Sequence, residues 1–196
     1  MPVPDHDADE RIVWQGDYIT AKTRGRWEYV GRPRNIRAAV ILAVDDDDHV
    51  LLVEQYRVPL GQYCLELPAG LIGDEDGRGD EDPLAAAGRE LEEETGYRAA
   101  VLEDLGCFWS SPGMVSESFT LVRARDLAKV GAGGGVGEEN ITVHRVPLAD
   151  IRSFIDAKRA DGCGIDVRML LLLVVPILAG MALLSTELVQ VIYERG

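Results

Sequence analysis

The stretch Arg89-Glu90-Leu91-Glu92-Glu93-Glu94-Thr95-Gly96-Tyr97 constrains this chain more than any other. It sets five charged side chains into the six positions 89–94 and then closes on a glycine. Upstream, Asp82 has the character of an N-cap, Pro83 suits a first helical position, residues 85–87 are alanines, and Gly96 is a natural stop. The pattern predicts a helix over residues 83–95. On it Glu90, Glu93 and Glu94 stand three and four residues apart and share a face. Like charges at that spacing repel by roughly 0.2–0.5 kcal/mol per pair. Spacing alone leaves two readings open. One is a solvated acidic face; the other is a set of oxygen ligands for a hard cation such as Mg2+, which would reverse the sign of the repulsion.

Residues 89–97, taken with Gly70 and Glu81, resemble the box of the Nudix hydrolases: Gly, five residues, Glu, seven residues, then Arg-Glu-aliphatic-x-Glu-Glu-x-Gly-aliphatic. Arg89 to Gly96 fit this pattern, with Tyr97 at the last apolar place. The chain departs from it in one respect, since ten residues rather than five separate Gly70 from Glu81. The surplus falls in Gly73-Asp74-Glu75-Asp76-Gly77-Arg78-Gly79-Asp80, which reads as an elongated loop. Closure entropy grows slowly with loop length, so such an insertion costs little.

Bulk properties narrow the classes. A chain of 196 residues is long enough for one domain with a sizeable core or two small ones, and 46% hydrophobic residues argue against disorder. The net charge of −14 argues against a nucleic-acid partner, which requires basic faces. Cys64, Cys107 and Cys163 are odd in number, lack ligand spacing and read as reduced thiols; His6, His49 and His144 form no zinc pattern. The acidic first ten residues have no apolar core, so no signal peptide is expected and the location reads as cytoplasmic.

Residues 11–14, 18–23, 27–30, 38–44 and 50–53 read as strands, and residues 45–48 as a solvated aspartate turn. Next come Glu54-Gln55-Tyr56-Arg57-Val58-Pro59 and Leu65-Glu66-Leu67-Pro68-Ala69-Gly70. These segments are similar to the ADP-ribose and nucleoside-diphosphate-sugar branch of the Nudix family. That likeness implies that Arg57 grips a diphosphate, and that the Ala69 carbonyl and Glu66 assist metal binding; the alternative for Arg57 is an ordinary surface ion pair. Trp27-Glu28 resembles a segment of the same enzymes that stacks on adenine, although a tryptophan on a short strand also serves packing. Pro112, sixteen residues beyond Gly96, resembles the marker of the ADP-ribose pyrophosphatase subgroup.

Residues 101–105, 107–109, 121–124 and 141–147 read as further strands, and residues 148–160 as an amphipathic helix. Gly131 to Gly137 holds five glycines, too flexible for regular structure, and lacks the Lys-Ser/Thr of a P-loop. The resemblance implies a mobile loop here that carries the general base, which falls on Glu139 with Glu138 beside it and Glu93 as a further candidate. The bland reading is a linker with incidental acids. Residues 169–184 are nearly uncharged, short of the roughly 20 that a membrane span needs and interrupted by Pro176, so a buried C-terminal helix is expected and no membrane partner.

The resemblance, covering about residues 10–175, implies an α/β Nudix fold: an α/β/α sandwich with a mixed β-sheet, preceded by N-terminal antiparallel strands. It divides the chain into an N-terminal tail and strands, 1–36, for substrate and dimer contacts, and a catalytic domain, 37–196. It implies metal ligation by Ala69, Glu90, Glu93 and Glu94, with Mg2+ as cofactor and Mn2+ as a possible substitute. The expected substrate is ADP-ribose or a similar nucleoside diphosphate sugar, and the expected assembly a homodimer. Alternatives are a GDP-sugar or dinucleoside polyphosphate substrate, or a module that senses ADP-ribose without cleaving it.

Overall fold

The computed structural model describes residues 3–33, 36–73, 81–137 and 139–174. Three strands, β1 (Glu10–Gln15), β2 (Thr20–Arg24) and β3 (Trp27–Gly31), form an antiparallel meander at the N-terminus. There follow β4 (Arg37–Ala43), β5 (His49–Arg57), β6 (Gln62–Glu66), β7 (Ala69–Ile72), α1 (Pro83–Thr95), β8 (Tyr97–Trp109) and β9 (Ser118–Lys129). The described chain continues with β10 (Thr142–Pro147), α2 (Ile151–Ala160) and β11 (Gly164–Ile165), and residues 170–174 are helical.

Two mixed four-stranded sheets carry the core, in the orders β7-β4-β9-β8 and β10-β5-β6-β11. β4 is apolar along almost its whole length because it is covered on both faces. Its Ala39, Ile41 and Ala43 pack with Ile72, Ala86, Ala87, Leu91 and Val122 beneath α1. Its Val40 faces the other way, toward Val50, Leu52, Leu65, Leu67, Ile151, Ile155 and Met169 near α2. The alternation of strand side chains thus places one helix on each side of the sheets, the expected α/β/α arrangement. Burying Leu91 alone is worth roughly 1.5–3 kcal/mol, enough to fix the face that α1 turns inward.

The helix predicted over residues 83–95 forms with those bounds and ends on Gly96 at φ +71°, whose N–H donates to the Glu92 carbonyl. Asp82 occupies the capping position, but its side chain makes no capping hydrogen bond, and the first turn rests on Pro83 instead. The strands predicted at 101–105 and 107–109 are one strand. β9 pairs with β8 from Tyr97 to Trp109, and the register shifts only across Asp104 to Cys107. There Gly106 takes φ +108° and donates to Asp104 Oδ1, which bends the strand without ending it. The segment 148–160 opens as a 3-10 turn and becomes α-helical at Ile151. The aspartate turn is tied down by Arg145, which reaches Asp45 Oδ2 at 2.6 Å and Asp47 Oδ2 at 2.7 Å. No cysteine pairs with another. Among the described residues no helix is long and apolar enough to cross a membrane. Most of the predicted C-terminal helix, from residue 175 on, lies outside the described residues.

Candidate active site

On α1 the buried stripe runs Ala87, Leu91, Glu94, a spacing of four and three that would normally be completed by an apolar residue. Glu94 is 5% exposed, and its Oε2 accepts the Ala69 N–H at 3.0 Å. Burial pushes its carboxyl up to about 8; the Ala69 N–H opposes this, nearby Glu90 and Glu139 add to it, and Arg57 opposes it. Glu90 lies against Gly70: a Cβ there would stand 1.9 Å from Glu90 Cδ. The opening glycine of the motif is therefore a space requirement of the acid opposite it. Arg89 binds the same acids, with Nη1 at 2.9 Å from Glu90 Oε1 and 3.1 Å from Glu93 Oε2, and Nη2 at 3.7 Å from Glu81. The Arg89–Glu93 pair has the i,i+4 spacing expected on a helix.

Beside this turn opens a cavity of about 690 Å³, lined among others by Arg57, Glu66, Ala69 and Gly70. Arg57 donates from Nε to Glu66 Oε1 at 2.6 Å and from Nη2 to Oε2 at 2.8 Å. Glu66 is 3% exposed, so this pair is unlike an ordinary surface contact: it fixes the guanidinium plane at the cavity wall. Sequence reasoning missed four further lining residues, Arg32, Glu117, Asp166 and Arg168. Arg168 holds both oxygens of Asp166, at 2.6 and 2.7 Å, and reaches Glu66 at 3.3 Å; Arg32 reaches Glu117 at 2.6 Å. Three arginines thus face the cavity in a chain of net charge −14, each steadied by a carboxylate.

Trp27 and Pro112 meet elsewhere. They line a separate hollow of about 460 Å³ together with Tyr29 and Trp109. Glu28 stands exposed on β3 opposite Thr23 and lines neither space. Glu139 follows the glycine run, and its Oε2 accepts the Val136 N–H at 2.8 Å. Glu138 lies outside the described residues.

The donor set fits a hard cation in its chemistry. Glu94 is a buried carboxylate with one backbone donor, and Glu90 and Glu139 add negative charge beside it. Glu90 closes over Gly70, next to Ala69, but the contact found for Ala69 is through its N–H, to Glu94. Among the described residues no three acidic, histidine or cysteine side chains form a ready-made cation group. Arg89 holds Glu90 and Glu93 by its own charge.

The NUDIX domain model matches residues 34–162, well over half of the chain, and the chain belongs to the Nudix family. The chain is 36% identical over 127 residues to the methanol dehydrogenase activator of Bacillus methanolicus, a match covering 64% of this chain and 66% of that one. It is 34% identical over 122 residues to the ADP-ribose pyrophosphatase of Bacillus subtilis, covering 62% of this chain and 63% of that protein. The matched stretch therefore spans just under two thirds of the length of each of these relatives. A crystal structure of an ADP compounds hydrolase is similar over 88% of this chain and 93% of its own, at 27% identity and a TM-score of 0.64.

Proposed function

We propose that this protein is a Mg2+-dependent pyrophosphatase that hydrolyses the diphosphate of ADP-ribose or a similar nucleoside diphosphate sugar. The observation that carries the proposal is the convergence on one cavity of a clamped arginine, Arg57, with Ala69 and Gly70. Those two residues touch Glu94 and Glu90 of the acidic helix. A diphosphate needs both a cationic grip and a source of activated water, and the two stand side by side here. Similarity to an ADP-ribose pyrophosphatase and to an ADP compounds hydrolase supports the adenosine-bearing substrate.

In this reading Glu90, Glu93, Glu94 and the Ala69 carbonyl hold Mg2+, or Mn2+ in its place. Bound there, the metal supplies charge neutralisation of the diphosphate and a lowered pKa for water. Arg57, held flat by Glu66, orients the phosphate oxygens, with Arg32 and Arg168 on the same wall. Glu139 takes the proton of the attacking water. A P–O bond forms to that water, the bridging P–O bond breaks, and AMP and ribose 5-phosphate leave. Trp27 and Pro112 are assigned to the adenine end, with Trp27 supplying a stacking face; Trp109 beside it adds a second, while Glu28 stands outside that hollow.

Purified protein incubated with ADP-ribose is expected to yield AMP and ribose 5-phosphate with Mg2+ or Mn2+ and nothing after chelation. Cleavage of a GDP-sugar or a dinucleoside polyphosphate in preference would move the substrate assignment. Saturable binding of ADP-ribose without products would make the protein a sensor. We also place the enzyme in the cytoplasm as a homodimer. Ile12, Val13, Trp14 and Trp27 of the N-terminal sheet are each more than half exposed, more apolar surface than a monomer ordinarily leaves in water. Light scattering at micromolar concentration is expected to return twice the chain mass, and a monomer would defeat this assignment.

A further inference from the structure

The glycine run that follows β9 has no regular secondary structure, yet Gly131, Gly134 and Gly135 each donate a backbone N–H to the carbonyl end of α1. A helix leaves its last four carbonyls without partners. Here the Gly134 N–H donates to the Glu94 carbonyl at 2.8 Å and the Gly135 N–H to the Glu93 carbonyl at 3.0 Å. Lys129 Nζ donates to the Thr95 carbonyl at 2.9 Å, and the N–H groups of Val130 and Gly131 both donate to the Gly96 carbonyl, at 2.8 and 3.0 Å. Such an approach of backbone to backbone leaves no room for side chains. A Cβ on Gly133 would stand 2.4 Å from the Thr95 carbonyl carbon, and one on Gly135 would stand 2.2 Å from Glu139 Oε2. Both residues also have positive φ, +73° and +81°.

The contacts continue to the acid. Gly135 bonds the helix, Val136 next to it donates its N–H to Glu139 Oε2, and Ile141 N–H returns to the Gly134 carbonyl at 3.2 Å. We infer that residues 129–135 are a clasp on the carbonyl end of α1, and that Gly133 and Gly135 are positioning residues that set the Glu139 carboxylate over the Glu93–Glu94 turn. The run is rich in glycine because the clasp needs close approach and left-handed backbone at successive residues, a requirement opposite to that of a free tether. This rests on Glu139 being the base proposed above.

Three substitutions test it. In Gly133→Ala the new methyl meets the carbonyl groups of Thr95 and Glu94 first and pries the run from the helix. In Gly135→Ala it takes the space of the Glu139 carboxylate. Gly137→Ala is the control, with comparable backbone strain at φ +66° but no heavy atom within 4 Å of the added Cβ. Gly133→Ala and Gly135→Ala are expected to lower kcat about 10–100-fold with KM unchanged, the scale of a misplaced reacting group, while Gly137→Ala stays near wild type. In a Glu139→Gln background Gly133→Ala should cost little more, because the group it misplaces is already gone. Hydrogen exchange gives a readout independent of any substrate: the Gly134 and Gly135 amides should be protected in the wild type and in Gly137→Ala, and lose protection in Gly133→Ala. Thermal unfolding shows that each variant is folded, and Gly135→Ala serves alone if Gly133→Ala is not.

Unprotected amides in the wild type overturn the clasp. Equal kcat losses in all three variants, or none in Gly135→Ala, overturn the positioning role. A wild type that leaves ADP-ribose intact but shows the exchange pattern would defeat the substrate reading and leave the clasp standing.

Discussion

Glu94→Gln is expected to abolish turnover and, without divalent cations, to make the chain harder to unfold at pH 8. The two effects have one cause. Glu94 fills a place in the apolar stripe of α1, almost out of contact with water, with a single backbone donor and the acids Glu90 and Glu139 nearby. Its carboxyl is raised from 4.5 to about 8, so the folded chain keeps a proton that the unfolded chain releases first. The stability tied to that proton is complete below about pH 4.5 and is lost as the pH rises through about 8. The loss is on the order of 2–4 kcal/mol in the cation-free protein. Glutamine keeps an oxygen for the Ala69 N–H and carries no charge, so its stability should stay nearly level over the same range. Urea unfolding with a chelator at pH 5 and pH 8 checks this; a wild type equally stable at both would contradict the account. Turnover, measured at saturating Mg2+, should be lost because a ligand charge is gone. Unchanged turnover would put the metal elsewhere.

That glutamate was legible before any fold was known, though for a different reason than its burial. The sequence pattern marks Glu90, Glu93 and Glu94 as one helical face, and the resemblance marks them as ligands. The structure separates them: Glu94 faces inward with Leu91, Glu90 fills the space left by Gly70, and Glu93 turns to Arg89. A stripe of Ala87, Leu91 and Glu94 already breaks the apolar rule at its last position, which is the local signal of a buried acid. Helix α1 and the strands around β4 were readable for an ordinary reason, since their periodicity and end signals agree. The bend in β8 was not, because a glycine inside a strand pattern reads equally as a stop, and only pairing with β9 decides between them.

The arginine wall of the cavity shows a different limit. Arg57 is found from its local segment, but Arg168 stands 102 residues from the Glu66 that it shares with Arg57. No window of sequence contains that contact. Asp166-Val167-Arg168 reads as a helix opening, and it is one: Asp166 accepts the Arg168 N–H at 2.8 Å as a cap. Its second use, facing the cavity, depends on β11 lying parallel beside β6. The glycine run is the converse case. Its composition suggests mobility, whereas its close packing on α1 appears only when the two segments are seen together.

Glu139→Gln is expected to lower kcat by roughly 10²–10⁴-fold, the usual worth of a positioned general base, with little change in KM. The substitution is a clean one in this setting. The amide oxygen of glutamine can still accept the Val136 N–H that now reaches Glu139 Oε2, so the loop keeps its geometry while losing the ability to take a proton. KM should hold because Arg57, Glu66 and Arg168 are untouched. Glu138→Gln is expected to cost much less, since Glu139 is the acid whose charge bears on Glu94. Should Glu138→Gln prove the damaging change, the base lies one residue earlier. If neither matters, the remaining candidate is Glu93, and it is a poor one. Arg89 Nη1 holds its carboxylate at 3.1 Å, so that oxygen is engaged by the guanidinium rather than turned toward an attacking water. A loss confined to Glu93 would therefore require Arg89 to let go when substrate binds, and Arg89→Lys, which lacks the forked grip, would then raise the rate rather than lower it.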